Sequence, residues 1–211
     1  LDAPLATYIP ALNGSDKGKL TIRQLLFHET GMPAALNMYN LMTDPKSYSG
    51  SLISRTKSKN YKKYAGGAYI NSTAHVRHDI TSEARTDTFN YRIGKKLWVG
   101  CPTYDTIMAE IHHQSLRKKK NYLYSCLNFC LLKEAVENAT KSQIDDYVYS
   151  SIFHKIGAYN MVYRPTDYFS LRQIAPTEND EYFREEVAHG VVHDETAAFS
   201  GGIQGNAGLF S

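Results

Sequence analysis

Thr21-Ile22-Arg23-Gln24-Leu25-Leu26-Phe27-His28-Glu29-Thr30-Gly31-Met32-Pro33 is the stretch on which the fold reading turns. The Thr21 hydroxyl can accept from a first-turn N–H while the Gln24 side chain reaches back, the reciprocal capping box of a helix start. The pattern predicts a helix through His28. Gly31 supplies a left-handed stop after Thr30, and Pro33 bars continuation. His28 follows the apolar Leu25-Leu26-Phe27 and reads as a structural histidine rather than a ligand or base.

Outward from this stretch, 211 residues suffice for one domain or two small ones. Hydrophobic residues at 42% and charged residues at 21% exclude a disordered tail, a collagen-like fibre and a coiled coil. No apolar run reaches the roughly 18–20 residues that span a bilayer. With 24 basic against 21 acidic residues the charge is too balanced to imply a nucleic-acid partner. Three cysteines are too few for a disulfide scaffold. Leu1-Asp2-Ala3-Pro4 lacks an initiator Met, a charged region and an apolar region, so a processed, trimmed or truncated end is expected. Sixteen Tyr beside one Trp serve either as half-buried packing or as the lining of a carbohydrate or amphipathic cleft.

Residues 45–100 carry no sustained helical period. A basic run from Arg55 to Lys63, the Gly66-Gly67 hinge, Gly50 and Gly94 predict a long irregular excursion with few short strands. Such loops are commonly lids or binding loops. A surface lid is expected here, with Tyr48, Tyr61, Tyr64, Tyr69 and Tyr91 free to meet a ligand and Trp98 anchoring the return. Helical periodicity resumes at Tyr104, with Ile107, Met108 and Ile111 on one face and Arg117-Lys118-Lys119-Lys120 beyond it. A second helix is predicted over 125–139 with Leu127, Cys130, Leu131 and Val136 inward. A third starts at Ser142 and runs past Ile152 towards Gly157. Asn179 is expected to cap a short charged helix through Glu186. No internal repeat or low-complexity tract is present.

The N-terminal run Leu1-Asp2-Ala3-Pro4-Leu5-Ala6-Thr7-Tyr8-Ile9-Pro10 with Thr21 to Pro33 resembles the serine hydrolases related to class C β-lactamases. Tyr122-Leu123-Tyr124-Ser125-Cys126-Leu127-Asn128-Phe129 is similar to their Tyr-Ser-Asp/Asn box at a helix start. His193-Asp194-Glu195-Thr196-Ala197 and Gly201 to Ser211 look like a Gly-rich stretch of a branch also found fused to glycosidases. The matches cover nearly the whole chain in order. The resemblance implies an α+β fold in the full protein, with an antiparallel sheet and a helical lobe around an active site. It also implies acyl transfer through an acyl-serine, with a nucleophilic Ser-x-x-Lys upstream of Leu1 and a closing strand downstream of Ser211. Ser54-Arg55-Thr56-Lys57 and Ser115-Leu116-Arg117-Lys118 match Ser-x-x-Lys by chance. The first sits in a basic non-helical run and the second at a helix end, where nothing would depress a lysine pKa.

On this basis 1–211 is expected to be a single partial domain, mainly α, the helical lobe of such a hydrolase with the 45–100 insert. Tyr124 is the candidate catalytic residue, its place at a helix start easing a polarised hydroxyl. The alternative is one more packed Tyr. Ser125 and Cys126 are candidate substrate contacts, although Cys126 stands where the family has Asn or Asp and a thiol bonds only weakly. Cys126 and Cys130 share a helix face and are expected as thiols. His189, His193 and Asp194, with His112 and His113 as additions, are the one metal-like cluster. Asp194 reads better as the cap of a helix at Glu195, so neither metal nor cofactor is expected. The basic runs read as solvated faces. The implied partners are a small-molecule or peptidoglycan-type substrate and the remainder of the parent polypeptide, in an extracytoplasmic setting. A non-catalytic ligand- or cell-wall-binding module on the same fold is the alternative function.

Overall fold

The computed structural model describes residues 1–63, 67–119 and 121–211, so Tyr64, Gly66 and Lys120 lie outside the described residues. In chain order the elements are α1 (Ile22–Leu26), α2 (Met38–Met42), β1 (Ile53–Ser54), β2 (Tyr61–Lys63), β3 (Tyr69–Asn71), β4 (Phe89–Gly94), β5 (Leu97–Gly100) and α3 (Cys101–His113). They continue as α4 (Cys126–Thr140), α5 (Ile144–Val148), β6 (Val162–Tyr163), β7 (Pro176–Asp180), β8 (Glu186–His189), α6 (Glu195–Phe199) and β9 (Leu209–Phe210). Helical residues make up 32% and strand residues 17%. The expectation of a mainly α chain is therefore corrected. Among the described residues the strands form four small antiparallel sheets, β1-β3-β2, β4-β5, β6-β9 and β7-β8. None of the helices is long and apolar enough to cross a membrane among the described residues.

The capping box at α1 forms as read: Gln24 N–H donates to Thr21 Oγ1 at 3.2 Å and Thr21 N–H to Gln24 Oε1 at 3.0 Å. The stop does not fall where Gly31 would put it. His28 itself turns left-handed, at φ 56°. The helices α3 and α4 bury most of the stripes that their periodicity announced, Ile107, Met108 and Ile111 on one and Leu127, Cys130 and Leu131 on the other, while Val136 is only half-buried. Lys17, 7% exposed, donates from Nζ to the carbonyls of His112 at 2.8 Å and of Gln114, closing the C-terminal end of α3. The third helix is shorter than read: α5 ends at Val148 and widens into a π-helical turn over Tyr149–Phe153.

Two further expectations are overturned. Residues 45–100 have a core face of their own. Leu52, Ile70, Ile80, Ile93, Leu97 and Val99 join the single hydrophobic cluster that runs from Leu5 to Phe199. Tyr91 is half-buried against this cluster, the Arg164 guanidinium 4.7 Å from its ring centroid, and burial pushes its phenol up to about 12. The β4-β5 hairpin turns through Lys95-Lys96, and Gly94 before the turn lets the Arg184 backbone approach, where a Cβ would stand 2.7 Å from Arg184 Cα. Among the described residues of this segment, the β1 to β2 stretch and residues 83–88 keep a largely exposed surface.

The charged segment read as a helix from Asn179 is instead the β7-β8 hairpin, paired Asp180↔Glu186 and Pro176↔His189. Its turn is organised by Arg184, 2% exposed. The guanidinium donates to Asp180 Oδ2 at 2.7 Å and to the carbonyls of Val192 at 2.9 Å and His193 at 2.8 Å. Asp180 Oδ1 in turn accepts from the N–H groups of Tyr182 and Phe183. Removing one partner of a buried ion pair leaves the other charge without compensation. Asp180→Ala is therefore expected to lower stability by about 3–5 kcal/mol in urea denaturation. A loss below about 1 kcal/mol, the scale of an exposed pair, would show that the hairpin stands without the pair.

Candidate active site

Residues 28–34 leave α1 as a strap that clasps the approach to α4. Arg117 N–H donates to Gly31 O at 2.8 Å, Leu123 N–H to His28 O at 2.9 Å and Cys126 N–H to Ala34 O at 2.9 Å. These bonds bring together the two stretches that the sequence singled out, 21–33 and 122–129. They leave Tyr124, Ser125 and Cys126 at the mouth of α4.

The three residues differ in what they can reach. Tyr124 is 55% exposed and free to meet a reactant. Cys126, the first residue of α4, is half-buried with its Sγ 3.7 Å from Tyr124 Oη. Ser125 is fully buried. Its hydroxyl donates to Pro33 O at 2.6 Å, so it fastens the strap rather than facing substrate. Tyr124 lies outside the helix, and the easing expected from the helix start does not appear. The neighbouring Cys126 thiol holds the phenol above the ordinary tyrosine range, with the charges of Asp194 and Tyr122 adding to the effect. The group is a neutral proton donor at neutral pH. Cys130 is buried one turn on, against Asn206, and burial pushes its thiol up.

Behind the mouth lies a chain of hydrogen bonds with a fixed direction. Met32 N–H donates to Thr30 Oγ1 at 3.1 Å, whose hydroxyl donates to Asn128 Oδ1 at 2.8 Å. Asn128 Nδ2 then lies 3.2 Å from His28 Nδ1, which also accepts from Ser125 N–H at 3.1 Å. Sequence reasoning missed Asn128 and Thr30. The one available signal was a carboxamide in the middle of the apolar run Leu127-Asn128-Phe129-Cys130-Leu131.

The histidine cluster has other uses. His189 Nε2 lies 2.7 Å from Ile174 O, and Asp194 Oδ1 caps α6 by accepting from Ala197 N–H at 2.8 Å. His112 Nε2 is 2.7 Å from Glu134 Oε2, between α3 and α4. Among the described residues no three His, Cys, Asp or Glu side chains gather closely enough to hold a metal ion. Neither Ser-x-x-Lys string opens a helix. Ser54 ends β1 with its hydroxyl on Thr56 O, and Ser115 lies two residues beyond α3.

A model of the beta-lactamase family matches residues 1–211. The chain belongs to the beta-lactamase family. Among curated relatives, an Escherichia coli K12 protein named "Putative D-alanyl-D-alanine carboxypeptidase" is 28% identical over 228 residues, covering 100% of this chain and 41% of the relative. Proteins of the same name from Escherichia coli O157:H7 and Salmonella gallinarum are 38% and 34% identical over 102 and 105 residues. Those matches cover 43% and 44% of this chain and 24% of each relative. This beta-lactamase-family chain thus spans about two-fifths of the length of its K12 relative. No solved structure matches it significantly.

The directed chain behind the mouth makes a stability prediction. Asn128→Leu keeps the volume but strips the Thr30 hydroxyl of its acceptor inside the core, at a cost of roughly 1–3 kcal/mol. The double variant Thr30→Val/Asn128→Leu should lose clearly less than the sum of the two single losses, as bonded neighbours do. Strict additivity in chemical denaturation would show that the two side chains do not act together.

Proposed function

We propose that residues 1–211 present Tyr124 as the proton-relay group of a serine hydrolase that cleaves amide or ester substrates by acyl transfer. In this reading the nucleophile comes from a Ser-x-x-Lys element outside these residues. The observation that carries it is the setting of Tyr124: an exposed phenol, neutral at neutral pH, pinned on both sides by the strap at the start of a long helix. A hydroxyl fixed in this way can hand its proton to a departing leaving group, and it can take one up from an attacking serine once a nearby cation has made it a phenolate. Cys126 lies within reach of the same space and is proposed as a substrate contact, while Ser125 acts by fixing the loop. The exposed β1 to β2 stretch is proposed as the rim of the cleft.

The relatives' names support a peptidoglycan-type substrate, a peptide ending in D-alanine, and with it an extracytoplasmic setting. A second reading, ligand binding without turnover, is favoured by one observation. Cys126 puts a weakly bonding thiol where the resemblance expects a carboxamide or carboxylate.

Two measurements test the proposal. Purified residues 1–211 should give no turnover of β-lactam or ester reporters. Product formation that disappears on Ser54→Ala or Ser115→Ala would place the nucleophile inside the chain instead. In the full parent protein, Tyr124→Phe removes only the hydroxyl and should lower kcat by about 10²–10⁴-fold with KM little changed. A correctly folded variant with kcat within a few-fold of the wild type would make Tyr124 structural.

A further inference from the structure

His28 is the one non-glycine residue of the strap in the left-handed region, at φ 56°. That conformation is uncommon for a residue with a side chain, and strain of this kind gathers where a position is needed for function. Here it lets one residue present both its carbonyl and its ring to the same three residues. The His28 carbonyl accepts from Leu123 N–H at 2.9 Å, and Nδ1 accepts from Ser125 N–H at 3.1 Å. The residues on either side of Tyr124 are thus fastened to His28, one through its main chain and one through its ring. The ring also packs on Tyr124 itself, with centroids 4.7 Å apart, and is braced by Phe129 at 5.5 Å and by Tyr122 edge-on at 6.1 Å.

The tautomer follows from the donors. A backbone N–H can only donate, so Nδ1 must offer a lone pair and the ring proton sits on Nε2. The Asn128 carboxamide points the same way, since its oxygen already accepts from Thr30 and its nitrogen faces Nδ1. The directed chain from Met32 therefore ends at the imidazole under Tyr124.

We infer that His28 is a positioning residue for the reaction, its main-chain carbonyl and the Nδ1 of its Nε2–H imidazole clamping the backbone on the two sides of Tyr124 while the ring packs against the phenol. This rests on the proposed relay role of Tyr124. It gives His28 a task beyond the filler suggested by its apolar sequence neighbours.

The test separates positioning from folding. Asn tolerates the left-handed conformation, and its carboxamide oxygen can accept from Ser125 N–H, but it provides no ring under Tyr124. His28→Asn should therefore fold. In the full parent protein it should lower kcat by about 10- to 100-fold, the scale on which a small misplacement of a reacting group acts, with KM within about twofold. Because His28 acts through Tyr124, adding His28→Asn to Tyr124→Phe should cause little further loss. In the 211-residue chain, ¹⁵N spectra of labelled imidazole should show His28 bare at Nδ1 and protonated at Nε2, a readout independent of activity. The opposite tautomer would overturn the inference. So would additive kcat losses, or an unaltered kcat in His28→Asn beside a full Tyr124→Phe effect. An unaltered Tyr124→Phe would instead sink the relay reading and remove this role with it.

Discussion

A guanidinium closed off from water between the β7-β8 hairpin and the segment leading to α6 is the constraint on which the rest of this structure depends. Burying a charge costs several kcal/mol even after relaxation, and the arrangement is tolerable only where partners are already in place. Arg184 has such partners from several directions. Asp180 comes from its own hairpin, and the carbonyls of Val192 and His193 come from the segment leading to α6. Its main-chain carbonyl accepts from Lys95 N–H at the tip of β4-β5, where Gly94 is bare enough to let the backbones touch. A hairpin from the middle of the chain, a second hairpin from its later part and the entry to α6 are thus fixed to one residue. Once the carbonyl of His193 is pinned, Asp194 follows as the cap of α6, and Ala197, Ala198 and Phe199 enter the core.

The same economy governs the other buried polar groups. Lys133, 5% exposed, pairs with Glu137 at 2.8 Å one turn along α4, with Tyr104 of α3 at 3.3 Å. Thr30 and Asn128 are both fully buried. An apolar pair would fill their space, but it would not choose a register between strap and helix. Hydrogen bonds do choose, because a donor displaced by one residue finds no acceptor and an unmet buried group is expensive. The chemistry proposed at Tyr124 needs that choice, since a hydroxyl carried on a loosely registered loop would seldom be in line for proton transfer.

What could be read from the sequence followed from how local its causes are. The capping box at Thr21, the cap at Asp194 and the buried stripes of α3 and α4 each need only neighbours within a few residues, and each was legible. The β7-β8 hairpin was not. Asn179 to Glu186 is rich in acidic residues with a plausible cap, and only the distant carbonyls at 192 and 193 explain why Arg184 turns inward and the chain pairs as strands. The core face of residues 45–100 was hidden for a similar reason. Leu52, Ile70, Ile93, Leu97 and Val99 are spread over short strands and their flanks, which pair within the segment, and the core they join is built from the rest of the chain, so no helical period survives in the sequence. At the candidate site, Tyr124 and Cys126 were visible through the motif they resemble. The support beneath them, His28 with Thr30 and Asn128, was not, because it joins positions about a hundred residues apart.

The electrostatics at the mouth fix what this part of the chain can and cannot supply. Cys126 puts a second weak acid beside Tyr124, and its thiol disfavours ionisation of the phenol. Asp194 adds negative charge in the same direction. Lys133, on the same helix, is already committed to Glu137 and Tyr104 and reaches Tyr124 in none of its hydrogen bonds. A phenol in such surroundings keeps its proton at neutral pH and has no basic form to offer. To accept a proton from an attacking serine it needs a cation close by, since opposite charge is what lowers an acid's pKa when burial does not. In the proposed reaction that cation is the lysine of the Ser-x-x-Lys element. Serine, lysine and Tyr124 would then form one unit, with the tyrosine becoming a base only when the lysine is in place, so that residues 1–211 hold the geometry of the relay and the lysine sets its charge.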